Sequence, residues 1–319
     1  MLRRLAILAL ALLPLEPIGA TKALAESGLK VTLLGTGAPF PYPDRSGPST
    51  LVEAGNLKLL FDAGRGATVR LRQLKIPLGR IDTLFLTHYH SDHIAGVPDL
   101  WLTGWLAGFW AGRTKPFMVV GPIGARTLMA NLEKAYALDV KIRLEDEKLP
   151  PEGIATDVHE FDQDGVVYER GGVKVTAFAV DHGEAIKPAV GYRVDYNGHS
   201  VLISGDTRYN ENVIKYGTGV DLLVHEVCIV RPELLSNVFL RVVDHHTTPQ
   251  EAGKVFSLAK PKLAAFTHLI FMTNDKLPQP TVNDLAAATR ETYAGPLEVG
   301  EDLMSFEIND KVTVHRRSP

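Results

Sequence analysis

The sequence predicts an α/β fold in which mixed β-sheets are covered by helices. Short apolar runs rich in β-branched residues recur along the chain, and they are too many for a helical bundle. Segments with apolar residues at helical spacing separate several of these runs. A chain of 319 residues, 45% of them hydrophobic and 22% charged, can also bury a large core. Sheets that alternate with helices along one chain are typical of this class.

The apolar runs are each predicted to form a β-strand. They cover residues 31–34, 57–61, 83–86, 117–120, 173–180, 201–203, 222–224 and 263–266. Helices are predicted at residues 67–74, 123–137, 249–258 and 283–292, and Thr247 and Thr248 are candidate N-caps of the third. The acidic, proline-containing stretch 145–153 is typical of a surface loop. The sequence shows no internal repeat and no Gly/Ser linker, which indicates one compact domain.

The first 25 residues are predicted to be a secretory signal peptide. Arg3 and Arg4 precede an apolar run at residues 5–13, and a small-residue cleavage site ends at Ala25. The apolar run is shorter than the roughly 20 residues that a membrane-spanning helix needs. Cleavage would leave one domain of residues 26–319, without a membrane anchor, in the periplasm or outside the cell. A buried N-terminal helix is the alternative.

Charge and cysteine content limit the partners and the covalent cross-links that the chain can have. The chain carries 34 Lys and Arg residues against 37 Asp and Glu residues, a formal net charge of -3, so its overall charge does not indicate a polyanionic partner. Cys228 is the only cysteine, which excludes an intrachain disulfide. Its position in the apolar run 222–230 predicts a buried strand residue, and a nucleophilic role is the alternative.

Chemistry-bearing residues are concentrated directly after the predicted strand 83–86. His88, His90, Asp92 and His93 lie within six residues of one another. Imidazole and carboxylate are zinc ligands, and such a cluster is costly to bury without a cation. Alternate residues of a turn at a strand end can face two different ions. The cluster therefore predicts a metal site and metal-assisted hydrolysis, with a solvated histidine loop as the alternative.

An aromatic segment follows this cluster. Trp101, Trp105, Phe109 and Trp110 recur at helical spacing within residues 101–113. Core packing is one interpretation of this pattern. An apolar wall facing a substrate is the other, because the segment comes directly after the histidine cluster.

Over nearly all of its length after residue 25, the chain resembles the metallo-β-lactamase superfamily, in particular its ribonuclease Z-like and arylsulfatase-like branch. The resemblance rests on short motifs that stand in the family's order. They lie at residues 34–37 (LGTG), 60–64 (LFDAG), 87–93, 204–208 (SGDTR), 225–226 (HE), 246–248 (HTT) and 267–268 (TH). The resemblance implies a four-layer αββα sandwich with a metal site at one edge, between two mixed sheets.

The resemblance also implies a set of ligands for two zinc ions, with iron or manganese left open as replacements. One ion would bind His88, His90 and His182, the other would bind Asp92, His93 and His268, and Asp206 would bridge them. Two such cations lower the pKa of a shared water, which makes hydroxide available at neutral pH. For His182 and His268 taken alone, hydrogen bonding to backbone carbonyls is the alternative role.

A proton donor and its partner are implied in the same way. His246 would donate to the leaving group with Glu226 behind it, and Asp92 is counted as catalytic as well as ligating. Asp62 is interpreted either as a carboxylate that orients a ligand histidine or as a simple turn residue. The remaining histidines are interpreted as structural or exposed, namely His159, His199, His225 and His315.

These observations lead us to expect an exported hydrolase of a small phosphodiester or aryl sulfate ester. Ribonucleases of this branch carry a long arm between the histidine that corresponds to His182 and the bridging aspartate that corresponds to Asp206. In this chain only 24 positions separate these two residues. The short interval, the acidic balance and the signal peptide argue against transfer RNA as substrate. A lactonase or β-lactamase and a metal-free binding module are the alternatives, and a homodimer is left open.

Overall fold

The computed structural model describes residues 28–235, 237–274 and 276–316, so the predicted signal peptide at residues 1–25 lies outside the described residues. Two β-sheets face each other across a shared core, and helices cover their outer faces. Side chains from both sheets meet in the central core, for example Val31 and Phe61 from one sheet and Val175 and Val224 from the other. The predicted αββα sandwich is therefore confirmed.

The first sheet has eight strands and contains both chain-terminal portions of the described structure. The strands are β1 (Leu29–Gly35), β2 (Ser49–Ala54), β3 (Leu57–Phe61), β4 (Thr83–Phe85), β5 (Phe117–Pro122), β6 (Thr156–Phe161), β14 (Ser305–Ile308) and β15 (Val312–His315). Their order is β15-β14-β1-β2-β3-β4-β5-β6. Pairing is parallel from β3 to β6 and antiparallel elsewhere.

The second sheet has seven strands. They are β7 (Gly165–Arg170), β8 (Val173–Ala179), β9 (Val190–Tyr196), β10 (His199–Ile203), β11 (Leu222–Val230), β12 (Leu263–Met272) and β13 (Leu297–Val299). Their order is β13-β12-β11-β10-β9-β8-β7. Pairing is parallel from β10 to β13 and antiparallel from β7 to β10. Parallel strands place their carboxyl ends at one edge of each sheet.

Helices form the two outer layers. They are α1 (Ala67–Gln73), α2 (Ser91–Ile94), α3 (Val97–Trp105), α4 (Ala125–Ala135), α5 (Ala137–Glu145), α6 (Glu211–Gly217), α7 (Asn237–Val243), α8 (Pro249–Ala259) and α9 (Val282–Arg290). Residues of α1, α3 and α4 share a hydrophobic cluster with the first sheet, and residues of α6, α8 and α9 share one with the second. In the described part of the chain, no helix combines the length and apolarity that crossing a bilayer requires.

The aromatic segment after the histidine cluster belongs mainly to the core. Trp101 and Trp105 are buried between α3 and the first sheet, and their indole nitrogens donate to the carbonyl oxygens of Ile154 (2.8 Å) and Pro150 (2.7 Å). The core interpretation is thus correct for these two residues. The helix ends at Trp105, so Phe109 lies beyond it with 77% of its surface exposed.

Candidate active site

Strand ends and short turns bring the predicted ligands to one edge of the sandwich. The 87–93 segment follows β4, and its α2 turn carries Asp92 and His93. His182 follows β8, Asp206 follows β10 after the glycine turn at Gly205, and His268 lies within β12. Ligands from both sheets therefore meet where the two sheets face each other. The structure brings all seven predicted ligands together.

Three histidines surround the first candidate metal position. The His88 Nε2 atom lies 3.0 Å from His90 Nδ1, which lies 3.2 Å from His182 Nε2. The Asp206 Oδ2 atom is 3.8 Å from His88 Nε2 and 3.7 Å from His182 Nε2. Zinc–nitrogen bonds of about 2.0–2.1 Å in a tetrahedron separate the ligand atoms by about 3.3–3.4 Å. These four side chains therefore fit one zinc ion.

The second candidate position shares Asp206 with the first. The Asp92 Oδ2 atom lies 3.2 Å from His268 Nε2 and 3.7 Å from His93 Nε2. The Asp206 Oδ2 atom is 3.3 Å from His93 Nε2 and 3.2 Å from His268 Nε2. One carboxylate oxygen of Asp206 thus lies within 3.8 Å of imidazole nitrogens from both positions. This placement suits a bridging ligand.

Hydrogen bonds behind the ligands fix which ring nitrogen faces the centre. His182 donates from Nδ1 to the backbone oxygen of His245 (2.8 Å), and His93 Nδ1 lies 2.7 Å from Asp62 Oδ2. Each of these rings therefore directs Nε2 toward the candidate ions. The His93 Nε2 atom is buried and has no hydrogen-bond partner among the described residues. A divalent cation would satisfy it.

Burial and mutual charge set the protonation of the cluster. Burial lowers the pKa of His88 well below its usual value and that of His182 to about 4, so both rings are neutral. Burial raises the pKa of Asp206, but His268 and His93 outweigh burial and bring this pKa well below the usual value. For His93, burial lowers the pKa, whereas Asp206 and Asp62 outweigh it and raise this pKa. Cation binding must displace the proton of His93.

A histidine–glutamate pair lies beside the ligands, as the family resemblance implies. Glu226 Oε1 lies 3.0 Å from His246 Nδ1 and also accepts from the backbone nitrogens of Thr207 (3.1 Å) and Thr247 (3.2 Å). Both side chains are buried, and the ring centroid of His246 is 4.9 Å from that of His182. Burial lowers the pKa of His246, but Glu226 outweighs this effect and raises the pKa. His246 can therefore carry a proton at the edge of the metal centre.

The remaining polar candidates lie outside the centre. His159 and His315 are exposed, His199 is partly buried, and His225 is buried with its ring centroid 5.9 Å from that of Phe256. Cys228 is buried in β11, and burial raises the pKa of its thiol, which argues against a nucleophilic role.

Two supporting groups were not expected from the sequence. Thr87 donates to Asp62 from both its backbone nitrogen and its hydroxyl (2.8 Å each), and the hydroxyl lies 3.0 Å from His88 Nδ1. His245 contributes its backbone oxygen to His182. Thr87 directly precedes the predicted ligand His88, so its position in the sequence could have identified it as a supporting residue. A backbone contact such as that of His245 has no signature in side-chain chemistry.

Comparisons with known proteins agree with this geometry. Residues 58–269 match the model of a β-lactamase superfamily domain. The chain is 32% identical over 288 residues to ribonuclease Z of Mycobacterium marinum and 33% identical over 288 residues to that of Mycobacterium avium. In both cases the match covers 88% of this chain and 99% of the relative. Human tRNase Z, short form, superposes with a TM-score of 0.65 at 23% identity, covering 86% of this chain and 98% of that one. The metallo-β-lactamase fold protein YhfI of Bacillus subtilis gives 0.65 at 20%, covering 88% and 99%.

These relatives correct two expectations. The expectation of a hydrolase of a small phosphodiester or aryl sulfate ester is wrong, because the similar proteins are named ribonuclease Z. The argument against transfer RNA is wrong for the same reason. The interval between His182 and Asp206 was a poor guide, since relatives that this chain matches over 99% of their length carry that name. Cleavage of the signal peptide and location outside the cytoplasm stay untested predictions.

Proposed function

Because this chain belongs to the ribonuclease Z family of the metallo-β-lactamase superfamily, and is thus a metal-dependent hydrolase of phosphodiester bonds, we propose that it cleaves transfer RNA with two zinc ions. The observation that supports the two ions best is the position of Asp206 Oδ2 between two groups of ligands. The ribonuclease Z relatives support the choice of substrate. Family membership also argues against the metal-free binding module.

The residues around the ions would each have a defined task. When bound, the zinc ions would stabilise charge on the scissile phosphate and supply a water nucleophile at neutral pH. His88, His90 and His182 would hold one ion, and Asp92, His93 and His268 would hold the other, with Asp206 shared. Asp92 acts in this scheme as a ligand and has no separate proton-transfer step.

His246 would complete the reaction by protonating the leaving oxygen. As the bond between phosphorus and the leaving oxygen breaks, that oxygen takes the proton from His246 Nε2. The hydrogen bond from Nδ1 to Glu226 orients the ring and stabilises its charged form. One of the ring nitrogens lies within 4.8 Å of ligand atoms of Asp206 and His268, and this short distance supports the role of His246 as donor.

The first test uses purified protein, its metal content and an RNA transcript. We expect about two zinc ions per chain, and endonucleolytic cleavage of a transfer RNA transcript that carries extra nucleotides at both ends. An aryl sulfate and a cephalosporin serve as comparison substrates and should remain intact. Protein that holds two zinc ions but leaves the transcript uncut would overturn the proposed substrate.

The second test separates proton donation from metal binding. His246→Ala should retain both zinc ions and lose about 10²- to 10⁴-fold in kcat on the transcript. His159→Ala, which removes an exposed histidine on β6, is the matched control and should behave as wild type. Wild-type turnover by His246→Ala, or loss of zinc in this variant, would contradict the role as donor.

A further inference from the structure

A cavity of about 520 Å³ lies at the edge of the first sheet opposite the metal centre. Strands β3, β4 and β5 run parallel, and residues at or just before their amino ends line this cavity, namely Lys58, Asp82 and Lys115. The metal ligands instead follow the carboxyl end of β4. Asp82 stands six positions before His88, so roughly 20 Å of extended chain lie between the cavity and the candidate ions. The cavity is therefore separate from the metal centre, and its volume suits a small ligand.

Positive charge dominates the lining of this cavity. Asp82 is its one acidic residue, and its five basic residues are Lys58, Lys75, Arg80, Arg113 and Lys115. The formal charge of the lining is thus +4, in a chain whose formal net charge is -3. Like charges gathered around one cavity repel each other unless an anion lies between them. The lining therefore favours a negatively charged ligand.

Three of these basic side chains are available to such a ligand. Lys75, Arg80 and Lys115 are exposed, and within the described part of the chain they form neither an ion pair nor a side-chain hydrogen bond. Lys58, by contrast, pairs with Glu53 at 3.4 Å, and Asp82 Oδ2 accepts from the backbone nitrogen of Lys58 (2.9 Å). The nearby carboxylates therefore leave three cations without a counter-charge.

A buried guanidinium adds to the positive potential. Arg113 is 5% exposed and forms no ion pair with a described carboxylate. Its Nε atom donates to the backbone oxygen of Gly153 (2.9 Å) and its Nη2 atom to that of Trp101, whereas Nη1 is buried without a hydrogen-bond partner among the described residues. Burial lowers its pKa to about 10, so the group stays charged at neutral pH. An anion in the adjacent cavity would reduce the cost of burying this charge.

The segment that carries Lys75 and Arg80 has a fixed backbone. The backbone nitrogen of Ile76 donates to the carbonyl oxygen of Leu71 (3.0 Å), and that of Arg80 donates to Pro77 (2.9 Å). Ile76 and Pro77 are half-buried and form an apolar wall of the same cavity. The cations therefore extend from a rigid turn, beside a surface against which a base or a sugar could pack.

We propose that this cavity binds a small ligand with two or more linked phosphate groups, held by Lys75, Arg80 and Lys115. Guanidinium and ammonium groups both bind phosphate oxygens. One phosphate monoester carries about -1.5 to -2 charges near neutral pH, so three unpaired cations match two phosphate groups better than one. Inorganic pyrophosphate and a nucleoside diphosphate share this chemistry. The proposal goes beyond the proposed function and can be tested without RNA.

Calorimetry on the zinc-loaded protein tests the proposal with ADP, pyrophosphate and AMP. We expect ADP and pyrophosphate to bind at least about tenfold more tightly than AMP, which has one phosphate. Phosphate groups also bind zinc ions, so variants of the cavity must separate the two sites. The double variant Arg80→Met with Lys115→Met should raise the Kd of ADP and of pyrophosphate at least about tenfold, because two charged contacts are lost. The zinc content, measured before and after each titration, should not change.

Arg170→Met with Lys174→Met is the matched control, since it removes one arginine and one lysine that are exposed on β7 and β8 of the second sheet. Its Kd for ADP should stay within about twofold of wild type, because distant surface charges are screened. Arg80→Lys with Lys115→Arg keeps both charges and should retain most of the affinity, which guards against a defect in folding as the cause of the loss. Pyrophosphate binding as tightly as ADP would assign the affinity to the phosphates alone, and weaker binding would add a contact with the nucleoside.

Three results would overturn the proposal. Equal Kd values in the cavity variant and the control variant would place the ligand at the metal centre. AMP binding as tightly as ADP would remove the need for a second phosphate. A transfer RNA transcript whose binding alone weakens in the cavity variant, with ADP and pyrophosphate unaffected, would make this surface a contact for nucleic acid.

Discussion

Asp62 supports both candidate metal positions with a single carboxylate. It lies 2.7 Å from His93 Nδ1 on one side, and it accepts from the backbone nitrogen and hydroxyl of Thr87 on the other. Because the Thr87 hydroxyl also lies 3.0 Å from His88 Nδ1, the carboxylate can orient one histidine directly and another through Thr87. The interpretation of Asp62 as an orienting carboxylate therefore fits the geometry better than that of a simple turn residue.

Asp62→Asn should weaken zinc binding about 10- to 100-fold, because the amide is a poorer partner for the imidazole N–H groups. The residue has φ 57°, a conformation that asparagine tolerates, so the backbone should persist. Competition with a chromogenic chelator measures the affinity. Asp157→Asn is the control, since it changes a partly exposed aspartate that also pairs with a histidine, His159, at 3.1 Å. Equal zinc affinities for the two variants would show that Asp62 does not support the ligands.

Site residues that are close together in the sequence could be predicted from the sequence more directly than those that are far apart. His88, His90, Asp92 and His93 lie within six residues of one another, so their chemistry is visible in the sequence alone. His182, Asp206 and His268 are separated from that cluster by many residues, and the order of family motifs identified them. The contact from His182 to the backbone oxygen of His245 follows from tertiary packing, which no local pattern encodes.

At the scale of single elements, helix α8 links a structural cap to the proposed donor. Thr248 and Glu251 form a capping box at the start of this helix, and His246 stands two residues before Thr248. Helix α9 begins with a similar box formed by Thr281 and Asp284, and no predicted ligand or proton donor adjoins this box in sequence. The two helices therefore allow a cap's effect on stability to be separated from its effect on catalysis.

Thr248→Ala and Thr281→Ala should each lower the free energy of unfolding by about 1 kcal/mol, since each removes one side-chain cap. Only Thr248→Ala should also lower kcat, by roughly tenfold, because a shifted helix start misplaces His246. Urea unfolding and kinetics on the transfer RNA transcript measure the two effects. An equal loss of kcat in both variants would indicate that general destabilisation, and no positioning by the cap, is the cause.

The elements that the sequence predicts best are those with long apolar runs. All eight predicted strands and the helices at α1, α8 and α9 are present. Strand β9 was not predicted, because Val190, Tyr192 and Val194 alternate with other residues and form no continuous run, although this alternation is itself a strand signal. Edge strand β6 was not predicted either, because it is only half-buried and carries polar residues. The predicted helix 123–137 divides at Tyr136 into α4 and α5, and α5 continues to Glu145.

At the scale of the whole molecule, the metal centre joins the two sheets. Asp62 and the 87–93 segment come from the first sheet, whereas His182, Asp206 and His268 come from the second. Bound ions would therefore hold the two halves of the sandwich together at this edge. Without them, buried Asp92 and Asp206 share one small volume with several imidazoles. Metal binding should consequently stabilise the fold as well as supply the chemistry.

Removal of zinc should lower the melting temperature of the entire domain. Free zinc at 1,000 times its dissociation constant stabilises the folded state by about 4 kcal/mol. For a domain of this size each kcal/mol corresponds to roughly 2 °C, so chelation should lower Tm by about 8 °C or more. Calorimetry on zinc-loaded, chelator-treated and reloaded protein measures this shift. Zinc should restore Tm and magnesium should not, because ligands rich in imidazole favour zinc. An unchanged Tm after complete zinc removal would mean that the ions do not join the two sheets energetically, even if they remain essential for cleavage.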